Sequence, residues 1–138
     1  MRALHALKLF LIKLSTEAVV LLAAATALTR LELCMTGLDC FGVNSLAVKL
    51  PDLQVLDISQ NDAVTNAVMP VVGSHLRKLR DFQLEHTGVD VLGLGCLTSL
   101  RQLQEVRVCK RLVAAAERVV ALPSTVDFTV VEAYCDGC

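Results

Sequence analysis

The chain has 138 residues and a mass of 14.9 kDa, the size of one domain. Apolar residues make up 54% of it and charged ones 20%, with a mean hydropathy of +0.58, which excludes intrinsic disorder. Thirteen basic residues against fourteen acidic leave a formal charge of -1, so no basic excess points to nucleic acid or an anionic membrane, and aromatics at 4% without Trp leave few stacking platforms.

The first 28 residues carry Arg2, an apolar stretch, and Ala23 and Ala25, the outline of a secretory signal. His5, Lys8, Lys13 and Glu17 interrupt it, and the longest clean run, residues 18–25, falls far short of the ~20 that cross a bilayer. Periodicity accounts for the same leucines. Leu4, Leu7 and Leu9 form a Leu-x-x-Leu-x-Leu step that suits one short strand. Ser15-Thr16-Glu17 then opens a helix over about residues 16–26, with a hydroxyl cap and an acid in its first turn.

The step returns at Leu28, Leu31, Leu33, at Leu53, Leu56, Ile58, at Leu79, Phe82, Leu84 and at Leu103, Val106, Val108. Its starts at 4, 28, 53, 79 and 103 differ by 24, 25, 26 and 24, and a degenerate sixth copy, Pro123, Val126, Phe128, follows after 20. Helical segments fill the intervals. One runs from about Gly42 and ends before Pro51, because the residue before proline disfavours helix. The next opens at Asp62-Ala63-Val64-Thr65-Asn66 and reaches Leu76, with Pro70 in its first turn or kinking it. Glycines weaken the helix expected near residues 93–100, and Leu112 to Val120 restores a strong one.

No unit of this size buries its own apolar face, so stacking is expected: a curved parallel sheet on the concave side and short helices on the convex side. The reading is a single α/β solenoid domain over residues 1–138 with about five to six repeats.

These residues resemble the leucine-rich repeat superfamily, whose period is 20–29 residues. TGLDCFGVNSLAVKLPDLQVLDIS is closest, similar to the cysteine-containing repeat class found in F-box proteins. Thr36 stands where that class would put cysteine. The family's ladder position, three after the last pattern leucine, falls on Asn61, where an amide bonds the turn backbone of neighbouring repeats, and elsewhere on Ile12, Thr36, Thr87 and Arg111. The resemblance implies binding of macromolecules through the concave sheet.

Strand alternation predicts which side chains face that sheet surface. One column reads Lys8, Glu32, Asp57, Gln83, Arg107, Asp127, with acids at its centre and cations toward its ends. The columns beside it hold Arg30, Asp81 and Glu105, then Glu85, then His86. Glu32, Asp57, Asp81, Gln83, Glu85, His86, Glu105 and Arg107 are the candidate partner contacts, and their acidic middle favours a protein with a basic patch. Phe10, Leu11 and Ile12 carry an apolar strip onto positions expected to be wet. Solenoids need polar end caps, so the first repeat is expected to be covered by another chain or by residues missing from this one.

Six cysteines stand at 34, 40, 96, 109, 135 and 138. Cys34 and Cys109 fall three strands apart, roughly 14 Å at about 4.8 Å per strand, beyond disulfide reach. Cys40 and Cys96 follow different strands, so these four are expected to be free thiols, which favours a reducing, cytoplasmic location. Cys135-Asp136-Gly137-Cys138 is half a zinc site, a redox pair or a tail, and neither His75 nor His86 has a companion at ligand spacing. No catalytic constellation or phosphate loop is present, and no cofactor or metal is expected.

The leading expectation is a non-catalytic protein-interaction module or scaffold. The alternatives are substrate recognition for a ubiquitin ligase, a secreted or surface receptor or antigen, and a structural subunit of a larger assembly.

Overall fold

A computed structural model describes residues 3–119 and 126–130. Strands β1 (Ala6–Phe10), β2 (Arg30–Cys34), β3 (Val55–Asp57), β4 (Asp81–Gln83), β5 (Glu105–Val108) and β6 (Asp127–Val130) form one sheet in the order β1-β2-β3-β4-β5-β6. Every described pairing is parallel. The connections carry α1 (Thr16–Ala23), α2 (Cys40–Lys49), α3 (Met69–His75), α4 (Val91–Leu94) and α5 (Lys110–Val119). The architecture is therefore α/β, a parallel sheet with helical crossovers.

Register follows the pattern step. Leu7, Leu31, Leu56, Phe82 and Val106 lie side by side across five strands. From β2 onward these residues are buried, packed on Leu46, Val68, Met69, Val72 and Leu94 from the crossovers. Leu7 and Leu9 in β1 are only partly covered, because β1 is an edge strand.

Local signals set the helix starts. The Ser15 hydroxyl accepts from the Ala18 N–H at 3.2 Å and begins α1. Asp39 accepts from the Gly42 N–H at 2.9 Å, so α2 starts at Cys40, two residues before the glycine expected to open it. The third helix also departs from expectation. Thr65 is extended and bridges Gly88 of the next connection, so no α-helix forms from Asp62. A 3-10 turn at Asn66–Val68 leads into α3, with Pro70 in its first turn. α4 is a single turn followed by a 3-10 segment, Gly95–Ser99, as the glycines there suggest.

The sixth copy needs a correction. Backbone pairing sets Phe128 beside Val106 and Val130 beside Val108, two residues later than the step Pro123, Val126, Phe128. A slip of two residues keeps the same faces in and out, so alternation alone does not fix the register. Asp127 therefore stands beside Glu105, and Thr129 stands beside Arg107. Pro123 lies outside the described residues.

The same backbone bonds recur along the chain. The N–H groups of Leu28, Leu53, Leu79 and Leu103 each reach back three residues, at 3.0, 3.2, 3.0 and 3.2 Å. The carbonyls of His5, Thr29, Gln54 and Arg80 each accept two successive N–H groups at the mouth of the next strand. Leu11, Met35, Gln60 and His86, each two residues after a third pattern residue, all have left-handed backbone, with φ of 60, 56, 58 and 52°. Neighbouring carbonyls hold them there: Met35 N–H donates to Ser59 O at 3.1 Å, and Gln60 N–H to Glu85 O at 2.8 Å.

Left-handed backbone costs an ordinary L-residue on the order of 1 kcal/mol, and asparagine tolerates it better. Leu11 is 63% exposed, so little packing is lost on replacement. Leu11→Asn should raise the unfolding free energy by about 0.5 kcal/mol and Leu11→Val should lower it by about 1 kcal/mol. Urea denaturation of the two variants checks this, and equal effects would contradict the assigned strain.

Asn61 joins two turns. Its Oδ1 accepts from the N–H groups of Thr36 and Leu38 at 3.1 and 3.0 Å, and its Nδ2 donates to the carbonyls of Leu33 and Ile58 at 2.8 and 2.9 Å. Thr36 and Thr87, one position before and after it in the series, donate their hydroxyls to Leu33 O and Leu84 O at 3.1 and 2.9 Å.

Candidate functional site

The sheet places Glu32, Asp57, Gln83 and Arg107 side by side, with Asp81, Glu105 and Glu85 around them. They form one surface, but it is not uniformly wet. Glu32 and Asp57 are 7% and 9% exposed, a correction to the expectation that the whole column faces solvent. Lys8 from β1 and Arg30 from β2, the strand of Glu32 itself, fold over Glu32, at 2.7 and 2.6 Å. Asp57 turns back to accept the Ser59 N–H at 2.8 Å.

Charge is compensated unevenly. Glu32 has two cations, and Glu105 pairs with Arg107 at 2.7 Å. Asp57, Asp81 and Glu85 make no ion pair among the described residues. Glu85 accepts the Ser59 hydroxyl at 2.6 Å, and Asp81 has a long contact with the Gln83 amide. Burial, followed by the charge of Glu105, pushes the Asp81 carboxyl above its ordinary range. The Lys8 hydrogen bond does the opposite for Glu32 and holds its carboxyl below the ordinary range, against the penalty of burial.

The two carboxyls act oppositely on stability. Glu32, lowered in the folded state, contributes stability that is present above the ordinary glutamate range and lost as pH falls through its folded value. Asp81, raised in the folded state, costs stability once ionised, and protonation removes that cost. Glu32→Gln should therefore lower stability at neutral pH by about 1 kcal/mol, with the difference shrinking in acid. Asp81→Asn should raise neutral-pH stability. Chemical denaturation at several pH values measures both, and a Glu32→Gln deficit that grows in acid would overturn the assignment.

His86 lies beyond the strands. With Met35, Gln60 and Asp62 it lines a shallow polar depression of about 410 Å3. Met35, Gln60 and His86 are three of the four non-glycine left-handed residues among the described residues, so backbone geometry gathers them there. Strand alternation already puts Met35, Gln60 and His86 in one column, although of these only His86 is among the candidate contacts.

Phe10, Leu11 and Ile12 are exposed beside the free edge of β1. Cys34, Cys40, Cys96 and Cys109 form no disulfide. Burial, then the charges of Asp57 and Glu85, pushes the Cys34 thiol up, which disfavours its thiolate. Cys135 and Cys138 lie outside the described residues. Among the described residues no His, Cys, Asp or Glu side chains gather in a group of three suited to a metal, and no helix is long and apolar enough to cross a membrane.

No protein-family model matches the chain, and no curated protein matches it.

Proposed function

We propose that the chain is a leucine-rich repeat solenoid that acts as a protein-binding module, its sheet surface receiving a basic patch of a partner. The recurrence of equivalent hydrogen bonds at each pattern step, and the sequential order of the strands, support the repeat architecture. One observation carries the binding reading. Asp57, Asp81 and Glu85 sit on or beside adjacent strands and make no ion pair among the described residues, while Glu32 and Glu105 beside them are paired with cations of the chain. Desolvated carboxylates of this kind gain most when an external Lys or Arg arrives.

Affinity capture from the source cell tests the reading. Asp81→Lys combined with Glu85→Lys should abolish recovery of the captured protein, and high salt should weaken binding by the unmodified chain. Binding should also fall as pH drops through the raised range of Asp81, since its protonated form attracts no cation. Equal capture by wild type and charge-reversed protein would sink the proposal.

A structural subunit of a larger assembly is the second reading. Exposure of Leu4, Phe10, Leu11 and Ile12 near the β1 edge favours it. Salt-independent assembly lost on Lys8→Pro, which removes an edge donor, would support it over the first.

A further inference from the structure

The formal charge of -1 conceals a division of charge over the molecule. The three stretches that lead into β3, β4 and β5, residues 49–54, 75–80 and 99–104, carry Lys49, Arg77, Lys78, Arg80 and Arg101 against one acid, Asp52. All of these side chains are exposed. Asp52 takes up Lys78 at 2.5 Å, and the other four cations make no ion pair among the described residues.

Stacking of the pattern steps collects them into a ridge. Arg77 and Arg101 stand at the same place in successive steps, two residues before Leu79 and Leu103, whose N–H groups close equivalent turns on Leu76 and Leu100. Arg80 lies between Gln54 and Gln104, since its N–H donates to the Gln54 carbonyl and its carbonyl accepts the Gln104 N–H, each at 2.8 Å. Three arginines without an ionic partner therefore cover two adjacent steps. The sheet surface carries a matching set. Asp57, Asp81 and Glu85, also three and also outside any ion pair among the described residues, lie on or beside the neighbouring strands β3 and β4. Neighbouring strands are about 4.8 Å apart, so each set spans one such interval. Within one copy the two sets do not meet, as no ion pair joins them.

We propose that the turn ridge of one copy docks on the sheet surface of a second, with Arg77, Arg80 and Arg101 meeting Asp57, Asp81 and Glu85. The inference rests on the sheet surface being the site for a basic patch, and names a patch that fits it. A net charge near zero leaves little repulsion between copies to oppose the contact. Arginine suits it, because a planar guanidinium bonds both oxygens of a carboxylate. Two different surfaces meet, so the contact is heterologous and copies add into an open chain or a closed ring.

Sedimentation velocity with reductant present, at about 10 mM and about 1 M salt, where charges act over about 30 Å and about 3 Å, tests this. Wild type should associate at low salt and dissociate at high salt. Arg77→Glu combined with Arg101→Glu, and separately Asp81→Lys combined with Glu85→Lys, should each weaken association about 100-fold. Mixing the two variants should restore it, because the reversed ridge of one then fits the reversed sheet of the other. If the ridge variant loses its circular-dichroism signal, Arg80→Gln combined with Arg101→Gln takes its place, with a loss of about tenfold. A wild type that stays monomeric at low salt overturns the proposal; a captured protein lost on Asp81→Lys with Glu85→Lys would then leave the sheet reading standing. A mixture of folded variants that stays monomeric overturns it as well, and so does association that survives high salt.

Discussion

Replacing Asn61 with alanine should lower the unfolding free energy by about 3–4 kcal/mol, among the largest losses from any polar residue of the chain. The side chain is 2% exposed and serves groups from two successive turns. Its removal leaves the N–H groups of Thr36 and Leu38 buried without their partner, each costing about 1–3 kcal/mol before water or backbone relaxation offsets part of it, and takes from the carbonyl of Leu33 one of its two donors. Asn61→Asp separates the two halves of the amide. It keeps an acceptor for Thr36 and Leu38 but turns a second oxygen toward the carbonyls of Leu33, Ile58 and Ser59, where Nδ2 now donates. That variant should be strongly destabilised at neutral pH and recover in part when the carboxyl is protonated. Urea denaturation at two pH values measures both effects, and a loss under 1 kcal/mol for Asn61→Ala would remove the amide from its structural role.

The second large effect is expected at Phe82. It is the bulkiest of the fully buried side chains among the described residues and stands in the middle of the sheet, with Leu56 and Val106 beside it in register. Phe82→Ala should cost about 3–5 kcal/mol, because the loss of buried area is compounded by a cavity that neighbours on two strands cannot close together. Phe82→Leu keeps most of the volume and should cost about 1 kcal/mol. A similar small loss for both would mean that the sheet centre is loosely packed, contrary to the register.

The first five strands and the start of α1 were legible because their causes are local. The step Leu-x-x-Leu-x-Leu carries its own alternation, and Ser15 ahead of Glu17 carries its own cap. What escaped the sequence depends on neighbours in space. Non-glycine residues at Met35, Gln60 and His86 give no local sign of left-handed backbone, which is held at Met35 and Gln60 by bonds to the carbonyls of Ser59 and Glu85, just past the next strand. Glu32 reads as a surface acid on its own strand, and Lys8, 24 positions earlier, is what covers it. Thr65 sits in a helix-compatible run, but its bridge to Gly88 holds it extended. At β6 a period of two leaves two registers equally acceptable, and only the pairing with β5 separates them.

The candidate contacts were legible as a set, since alternation alone brings Asp57, Asp81, Gln83 and Arg107 to one surface. Which acids are already neutralised was not, because the ion pairs depend on rotamers and cross-strand reach rather than on sequence spacing.

The most direct test of the binding reading is an amide chemical-shift titration of the isotopically labelled chain with the protein recovered by capture. Perturbations should centre on residues 57, 81, 83, 85 and 107 and vanish with Asp81→Lys combined with Glu85→Lys. Perturbations confined to α1 and α2, or to the β1 edge, would contradict it and move the partner to another face.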